Sequence, residues 1–232
     1  MTEQVQLWKK VLSNNDLLAE QLRYQFNDCR VCVLNFISSP GSGKTSLLEH
    51  TIRHFRVKLK MAVITGDVET ENDTERLKAA GGPVVRPIVT GGACHLDARM
   101  IQKSLVKLVL DELDLLIIEN VGNLVCPAAY DLGEDSKIVL VSTTEGDDKP
   151  LKYPAIFRRA SMMVVNKIDL LGMSDFSLER VIHNVRNING NIEICSLSCR
   201  TGVGLDDWYA WLQRQLRSKR EIEPGKGVRM KP

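Results

Sequence analysis

The feature that most constrains this chain is a glycine-rich turn between an apolar run and a helical stretch. The turn spans residues 38–45 and reads Ser-Ser-Pro-Gly-Ser-Gly-Lys-Thr. It follows the apolar run 31–37, typical of a strand buried on both faces, and leads into residues 44–57, which read as a helix. Glycines here let backbone N–H groups face inward at a helix N-terminus, where they bind phosphate. The segment therefore predicts a phosphate-binding loop.

The residues of this loop have distinct expected roles. The general pattern is Gly, four residues and Gly-Lys-Ser/Thr, and Ser38 stands where the first Gly usually does. Lys44 supplies a positive charge for the β- and γ-phosphates, and the Thr45 hydroxyl is placed to bind Mg²⁺. The remaining nucleotide contacts of the loop are expected from Gly41, Ser42, Gly43 and Ser46.

A second motif lies about 120 residues downstream. Asn166-Lys167-Ile168-Asp169 follows the apolar strand 162–165, and the Asp169 carboxylate can accept hydrogen bonds from guanine N1–H and N2–H₂. Adenine lacks both donors and would leave the carboxylate unpaired. Lys167 is expected along the purine face, with Asn166 tying neighbouring loops together. Backbone N–H groups at Ser198 and Cys199 are expected to donate hydrogen bonds to guanine O6. The two motifs together therefore predict a GTP-binding protein.

Strands and helices alternate along most of the chain. Further strands are predicted at 61–65, 115–118, 137–141 and 191–195, and further helices at 73–80, 96–111, 176–188 and 204–219. This alternation predicts an α/β fold of the P-loop NTPase kind, with a mostly parallel sheet flanked by helices. Ligands in such folds bind at the carboxyl ends of the strands.

We expect three parts in the chain. Residues 1–28 are predicted to form an N-terminal helical extension, divided in two at the polar stretch 13–16, because apolar residues recur there at helical spacing. The GTPase domain is expected at 29–220, and a basic flexible tail at 221–232.

The composition excludes several classes of protein. A net charge of +2 indicates no nucleic-acid partner. No apolar run approaches the roughly 20 residues that span a bilayer, and the N-terminus does not resemble a signal peptide. We therefore expect no membrane association and a cytoplasmic location, where the six cysteines would be reduced thiols.

Acidic residues at strand ends are candidates for Mg²⁺ binding and hydrolysis. Asp67 and Glu119 each follow a predicted strand, so we expect both near Mg²⁺ together with Thr45. Asp73 is a candidate for orienting the attacking water, which makes Lys44, Asp67 and Asp73 the predicted catalytic set. Arg76 and Arg99 are both candidates to supply an additional positive charge during hydrolysis, and the sequence does not favour either one.

A cluster of soft ligands indicates a transition metal. Cys94 and His95 are adjacent after Gly91-Gly92, and Cys126 precedes a proline. Thiolate and imidazole suit Zn²⁺ or Ni²⁺, and these residues do not decide between the two metals. Three ligands do not close a four-coordinate site, which suggests a site shared across a two-fold axis. On these residues alone, packed cysteines and a capping histidine remain an alternative.

Two other groups of cysteine and histidine residues are expected to pack. Cys29 and Cys32 have CxxC spacing, but Cys32 falls within a predicted strand. His50 and His54 are four residues apart on a predicted helix, without a third ligand nearby in the sequence.

From about residue 35 to residue 208 the sequence resembles the HypB family of hydrogenase nickel-incorporation GTPases. The resemblance rests on four segments, 38–49, 92–98, 118–127 and 148–154. It implies the dimerising GTPase class related to nitrogenase iron protein. It also implies a metal site built from Cys94, His95 and Cys126 at a GTP-dependent homodimer interface. Nickel would be delivered to a hydrogenase large subunit precursor, with a HypA-type metallochaperone as partner.

Two alternatives stay open at this point. One is a urease-type nickel chaperone GTPase, UreG, although its usual Cys-Pro-His motif differs from the adjacent Cys94 and His95. The other is a GTP-dependent regulatory protein with no metal role, in which the cysteines only pack.

Overall fold

Seven strands in the described part of the chain form one parallel sheet. The computed structural model describes residues 3–67, 72–81 and 84–221. The strands are β1 (Cys32–Ser38), β2 (Met61–Asp67), β3 (Val84–Val89), β4 (Leu115–Glu119), β5 (Ser136–Ser142), β6 (Met162–Asn166) and β7 (Glu193–Ser196). Their order is β3-β2-β4-β1-β5-β6-β7, and every pairing is parallel. The predicted α/β fold of the P-loop NTPase kind is confirmed.

The central strand β1 lies at the point where the strand order reverses. Phe36 of β1 pairs with Glu119 at the end of β4, and Ser38 pairs with Leu140 of β5. Crevices outside the carboxyl ends of strands at such a reversal are the usual ligand sites of open α/β sheets. The phosphate loop follows β1 directly and therefore lies at this crevice.

Helices cover both faces of the sheet. They are α1 (Glu3–Asp28), α2 (Lys44–Phe55), α3 (Asn72–Gly81), α4 (Ala98–Leu105), α5 (Lys149–Lys152), α6 (Pro154–Arg159), α7 (Leu178–Ile188) and α8 (Leu205–Arg220). Leu34 and Phe36 of β1 point to the face packed by α2, α3 and α8. Val33 packs with α1 and α4 on the opposite face, and Ile37 with α6 and α7. This alternation is the period of two expected for a strand buried on both sides.

The N-terminal helix differs from its prediction. It runs unbroken through residues 13–16, because Asn15 is buried and its side chain bridges two other segments. Asn15 Nδ2 donates to Asp131 O, and Asn15 Oδ1 accepts from Ala98 N, both at 2.9 Å. Ala19, Leu22 and Phe26 bury the inner face of the helix.

Four other elements differ from the sequence predictions. The edge strand β3 was not predicted, since it contains Pro87, which cannot donate to a sheet ladder, and alternates only weakly in burial. Helix α4 ends at Leu105 instead of residue 111, because Val106 and Val109 are exposed and give a longer helix no buried face. The short helices α5 and α6 were also missed. Residues 222–232, most of the predicted tail, lie outside the described residues.

Trp208 of α8 provides a test of the main core. It is fully buried, its ring centroid lies 5.7 Å from that of Phe36, and its Nε1 donates to Thr51 Oγ1 at 2.9 Å. We expect Trp208→Ala to lower the free energy of unfolding by about 3–5 kcal/mol, through lost contacts and an unfilled cavity. Urea denaturation followed by circular dichroism measures this.

The matched control is Val57→Ala, since Val57 is 90% exposed. It should change the free energy of unfolding by no more than about 0.5 kcal/mol. Equal effects of the two substitutions would contradict the packing role assigned to Trp208.

Candidate functional site

The phosphate loop wraps around a buried lysine. Gly41 and Gly43 have φ values of 75° and 98°, which favour glycine, and α2 begins immediately afterwards at Lys44. Lys44 Nζ lies 3.0 Å from Ser38 Oγ, so the serine at the first position of the motif helps to hold the lysine. Burial lowers the pKa of Lys44. The ammonium is thus positioned beneath the loop, where a phosphate would be bound.

A cavity of about 440 Å³ opens at this loop. Its lining brings together the predicted phosphate contacts of the loop and the carboxylates predicted for Mg²⁺ binding and hydrolysis: Gly41, Ser42, Gly43, Lys44, Thr45, Ser46, Asp67, Asp73 and Glu119. Gly66, Asn120, Val121 and Gly122 also contribute to the wall. One cavity therefore collects residues from the carboxyl ends of β1, β2 and β4.

Thr45 and Glu119 form a buried pair inside the cavity. Thr45 Oγ1 donates to Glu119 Oε1 at 2.7 Å. The other oxygen, Oε2, is buried and has no hydrogen-bond partner among the described residues. Burial raises the pKa of Glu119 to about 7, opposed by the nearby Lys44 and by the Thr45 hydrogen bond. A hydroxyl beside an unsatisfied carboxylate oxygen is a donor set that fits Mg²⁺.

Asn166 connects the phosphate loop to the second motif. Its Nδ2 donates to Ser42 O at 2.9 Å, and its Oδ1 accepts from Lys167 N at 2.8 Å and Cys199 N at 3.1 Å. A side chain at Gly43 would collide with Asn166 Nδ2. The amide of Asn166 therefore fixes three loops against one another.

The residues predicted to read guanine lie at the ends of β6 and β7. Ser198 Oγ donates to Asp169 Oδ1 at 2.5 Å, and this contact orients the carboxylate. Lys167 has a φ of 63°, and its carbonyl accepts from Thr143 Oγ1 at 2.7 Å. Asn166, Lys167, Asp169, Ser198 and Cys199 are thus brought together, next to the phosphate loop.

Sequence reasoning missed Glu145, which follows β5 and supports the phosphate loop from behind. Glu145 Oε1 accepts from Ser42 Oγ at 2.7 Å, and Oε2 lies 3.1 Å from Lys149 Nζ. Lys149 also donates to Ser39 Oγ at 2.9 Å. Ser39 and Ser42 are more than 100 positions from Lys149 and Glu145, so only the tertiary fold reveals these contacts.

Cys94, His95 and Cys126 come together in a second cluster. One ligand atom from each lies within 4.8 Å of the others. Cys94 Sγ is 2.8 Å from Cys126 Sγ and 3.8 Å from His95 Nδ1. Burial lowers the pKa of His95, which favours the neutral imidazole that binds metals. The His95 ring stacks on Tyr130 at a centroid distance of 3.9 Å, a contact that the sequence did not indicate.

The segment after β4 links this cluster to the cavity at the phosphate loop, which is called the nucleotide cavity below. Asn120 is buried, lines the cavity and accepts from Leu96 N at 3.2 Å, one residue beyond His95. Asn123 Nδ2 donates to Cys94 O at 3.2 Å. Two amide side chains that follow Glu119 therefore hold the loop that carries Cys94 and His95.

The remaining histidines of α2 pack instead of forming a metal site. His50 Nε2 lies 2.7 Å from Cys199 O, and the His54 ring stacks on Tyr209 at 3.9 Å. Within the described residues, Cys94, His95 and Cys126 form the sole cluster of three metal-ligating side chains close enough to share an ion.

Comparison with known proteins identifies the family of this chain. Residues 32–196 match the family model described as CobW/HypB/UreG, nucleotide-binding domain. The hydrogenase maturation factor HypB of Escherichia coli K12 is 48% identical over 205 residues, which cover 88% of this chain and 70% of the relative. The chain belongs to the HypB family. Members of this family are P-loop GTPases that act in hydrogenase maturation, and this chain is a GTPase of that kind.

Other HypB proteins match over nearly their full length. The probable HypB of Methanocaldococcus jannaschii is 41% identical, with 90% of this chain and 94% of the relative covered. The crystal structure of HypB from Archaeoglobus fulgidus has a TM-score of 0.82 at 39% identity, covering 88% of this chain and 99% of that one. HypB from Helicobacter pylori, solved in complex with nickel, has a TM-score of 0.83 at 36% identity, covering 93% and 100%.

No helix in the described part of this HypB-family chain has the length and apolar character needed to cross a membrane.

Gly43→Ala tests the contact between the phosphate loop and Asn166. We expect it to destabilise the nucleotide-free protein more than Gly41→Ala, because both glycines have positive φ but only a Cβ at Gly43 meets Asn166. Gly41→Ala should lower the free energy of unfolding by about 1–2 kcal/mol from backbone strain alone. Urea denaturation of both variants without nucleotide gives the difference. Indistinguishable values would contradict a tight contact at Gly43.

Proposed function

We propose that this chain is a GTPase that delivers nickel during the maturation of nickel–iron hydrogenase. The observation that carries the proposal is the position of the Cys94, His95 and Cys126 cluster beside the nucleotide cavity, with Asn120 and Asn123 between them. HypB relatives named as hydrogenase maturation factors, and a HypB neighbour solved with nickel, support this role.

The nucleotide part of the site is assigned by its donors. The loop amides and Lys44 would hold the phosphates, and Asp169 would read the guanine edge. Thr45, Glu119 and Asp67 would hold Mg²⁺, which neutralises phosphate charge when bound. Asp73 lines the same cavity and would orient the attacking water.

The metal part is assigned by its soft ligands. Two thiolates and one imidazole suit Ni²⁺, the proposed cargo, and also accept Zn²⁺. A fourth ligand would come from a second copy of the chain or from a recipient protein, so we propose a GTP-dependent homodimer with this cluster at its interface. Both thiols must stay reduced for this chemistry, so we also propose a cytoplasmic location, where thiols are kept reduced.

Coupling between the two sites follows from the shared segment. A γ-phosphate that moves Glu119 would move Asn120 and Asn123, and with them the backbone around Cys94 and His95. The coupling must be reciprocal, so metal binding changes nucleotide affinity by the same factor. The recipient would be a hydrogenase large subunit precursor, with a HypA-type metallochaperone as a further partner.

Asp169→Asn tests the base assignment. We expect it to lower the affinity for GDP, because an amide cannot accept two hydrogen bonds from guanine in the way a carboxylate does. Xanthosine diphosphate, which has a carbonyl at C2, should gain affinity by accepting from the new amide. Isothermal titration with GDP, ADP and xanthosine diphosphate measures the preference. An unchanged order of affinities would remove Asp169 from the base site.

Cys94→Ser tests the metal assignment. We expect the wild type to bind Ni²⁺ with an affinity that changes by roughly 5–150-fold between the GDP state and a non-hydrolysable GTP analogue. Cys94→Ser should weaken Ni²⁺ binding by at least about tenfold in both states. Cys29→Ser is the matched control, since Cys29 precedes the start of β1, at the end of the sheet opposite the carboxyl ends of the strands.

Two outcomes would contradict the proposed function. Nickel binding that is equal in wild type and Cys94→Ser would leave the cysteines with a packing role alone. A nickel affinity that is the same with GDP and with the GTP analogue would support a GTP-dependent regulatory protein without a metal switch.

A further inference from the structure

Arg76 is the one arginine among the described residues that lines the nucleotide cavity. It lies on α3, which packs against α2. Its Nε lies 3.0 Å from Glu49 Oε1, its Nη1 lies 3.3 Å from Asp73 Oδ1, and its Nη2 donates to Ser46 Oγ at 3.3 Å. The guanidinium is therefore held at the rim of the cavity, beside the end of the phosphate loop.

The ion pair with Asp73 contributes little to the stability of the fold, and Glu49, which is 15% exposed, has a second cationic partner. The side chains of Arg76 and Asp73 are 46% and 42% exposed, and ion pairs as exposed as this are weak. Glu49 has a second cationic neighbour, since Arg53 Nη2 lies 3.6 Å from its Oε2. If Arg76 moves away, the Glu49 carboxylate still has Arg53 as a cationic partner.

The cavity needs positive charge during hydrolysis. Its described lining has two basic side chains, Lys44 and Arg76, against the carboxylates of Asp67, Asp73 and Glu119. Charge spreads over the oxygens of the transferred phosphoryl group in the transition state, and an arginine placed there raises turnover by about 10³–10⁵-fold in other phosphate-loop GTPases.

The structure also distinguishes between the two arginines that the sequence analysis named as candidates. Arg99 lies in the first turn of α4, is exposed, and is not part of the cavity lining. Arg76 is part of that lining, and its long side chain is itself 46% exposed.

We propose that Arg76 leaves Glu49 and Asp73 when GTP binds and donates to the terminal phosphate during hydrolysis. In this step the water oxygen forms a bond to the γ-phosphorus. The bond from that phosphorus to the β–γ bridging oxygen breaks, and its electron pair stays on GDP. GTP and water thus yield GDP, inorganic phosphate and a proton. The inference rests on the GTPase activity of the proposed function and assigns a residue that sets its rate.

The test compares Arg76→Ala and Arg76→Lys with the control Arg53→Ala. Arg53 contacts the same Glu49 but does not line the cavity. Single-turnover hydrolysis should slow by at least about 100-fold in Arg76→Ala, whereas the affinity for GDP changes by less than about threefold. Arg76→Lys should remain slow, because an ammonium lacks the planar fork of a guanidinium. Arg53→Ala should hydrolyse GTP like the wild type.

A second measurement separates a catalytic role from a structural one. Added guanidinium ion should partly restore hydrolysis in Arg76→Ala and leave the wild type unchanged. Hydrolysis in Arg76→Ala within about threefold of the wild-type rate would overturn the inference, and so would parallel losses of hydrolysis and GDP binding. A wild type that fails to hydrolyse GTP would instead contradict the proposed function.

Discussion

The placement of β1 between β4 and β5 is the constraint on which both sites depend. The chain passes to one side of β1 to build β2, β3 and β4, then crosses to the other side to build β5. The register that pairs Phe36 with Glu119 brings the ends of β1 and β4 together. This alignment puts the Thr45 hydroxyl within 2.7 Å of the Glu119 carboxylate. The sheet thus assembles the cavity before any ligand contributes.

The segment 119–126 serves both halves of the site. Glu119 belongs to the nucleotide cavity and Cys126 to the metal cluster, and Asn120 and Asn123 between them hold the loop of Cys94. In the proposed function, this short segment, with a residue of each site at either end, connects the nucleotide mechanically to the metal. The Asn120 amide is suited to this, because it is buried and its hydrogen bonds are directional and costly to break.

Much of the fold followed from local pattern. The buried strands are continuous apolar runs, and the phosphate loop has its own glycine requirement, so both were predictable. The errors have a common cause, which is that tertiary contacts override local preference. Asn15 stays helical because its side chain is satisfied by Asp131 and Ala98, and Pro87 is accommodated because β3 is an edge strand.

The kinds of chemical group that this protein can use follow from its amino-acid sequence alone. The spacing of glycines and Lys44, the carboxylate at Asp169 and the soft ligands at Cys94 and Cys126 are properties of residue type and order. The spatial grouping of these side chains depends on the tertiary structure. It joined Ser42 to Glu145, placed Arg76 but not Arg99 in the wall of the cavity, and brought Cys94, His95 and Cys126 together, because the fold links residues that are far apart in the chain.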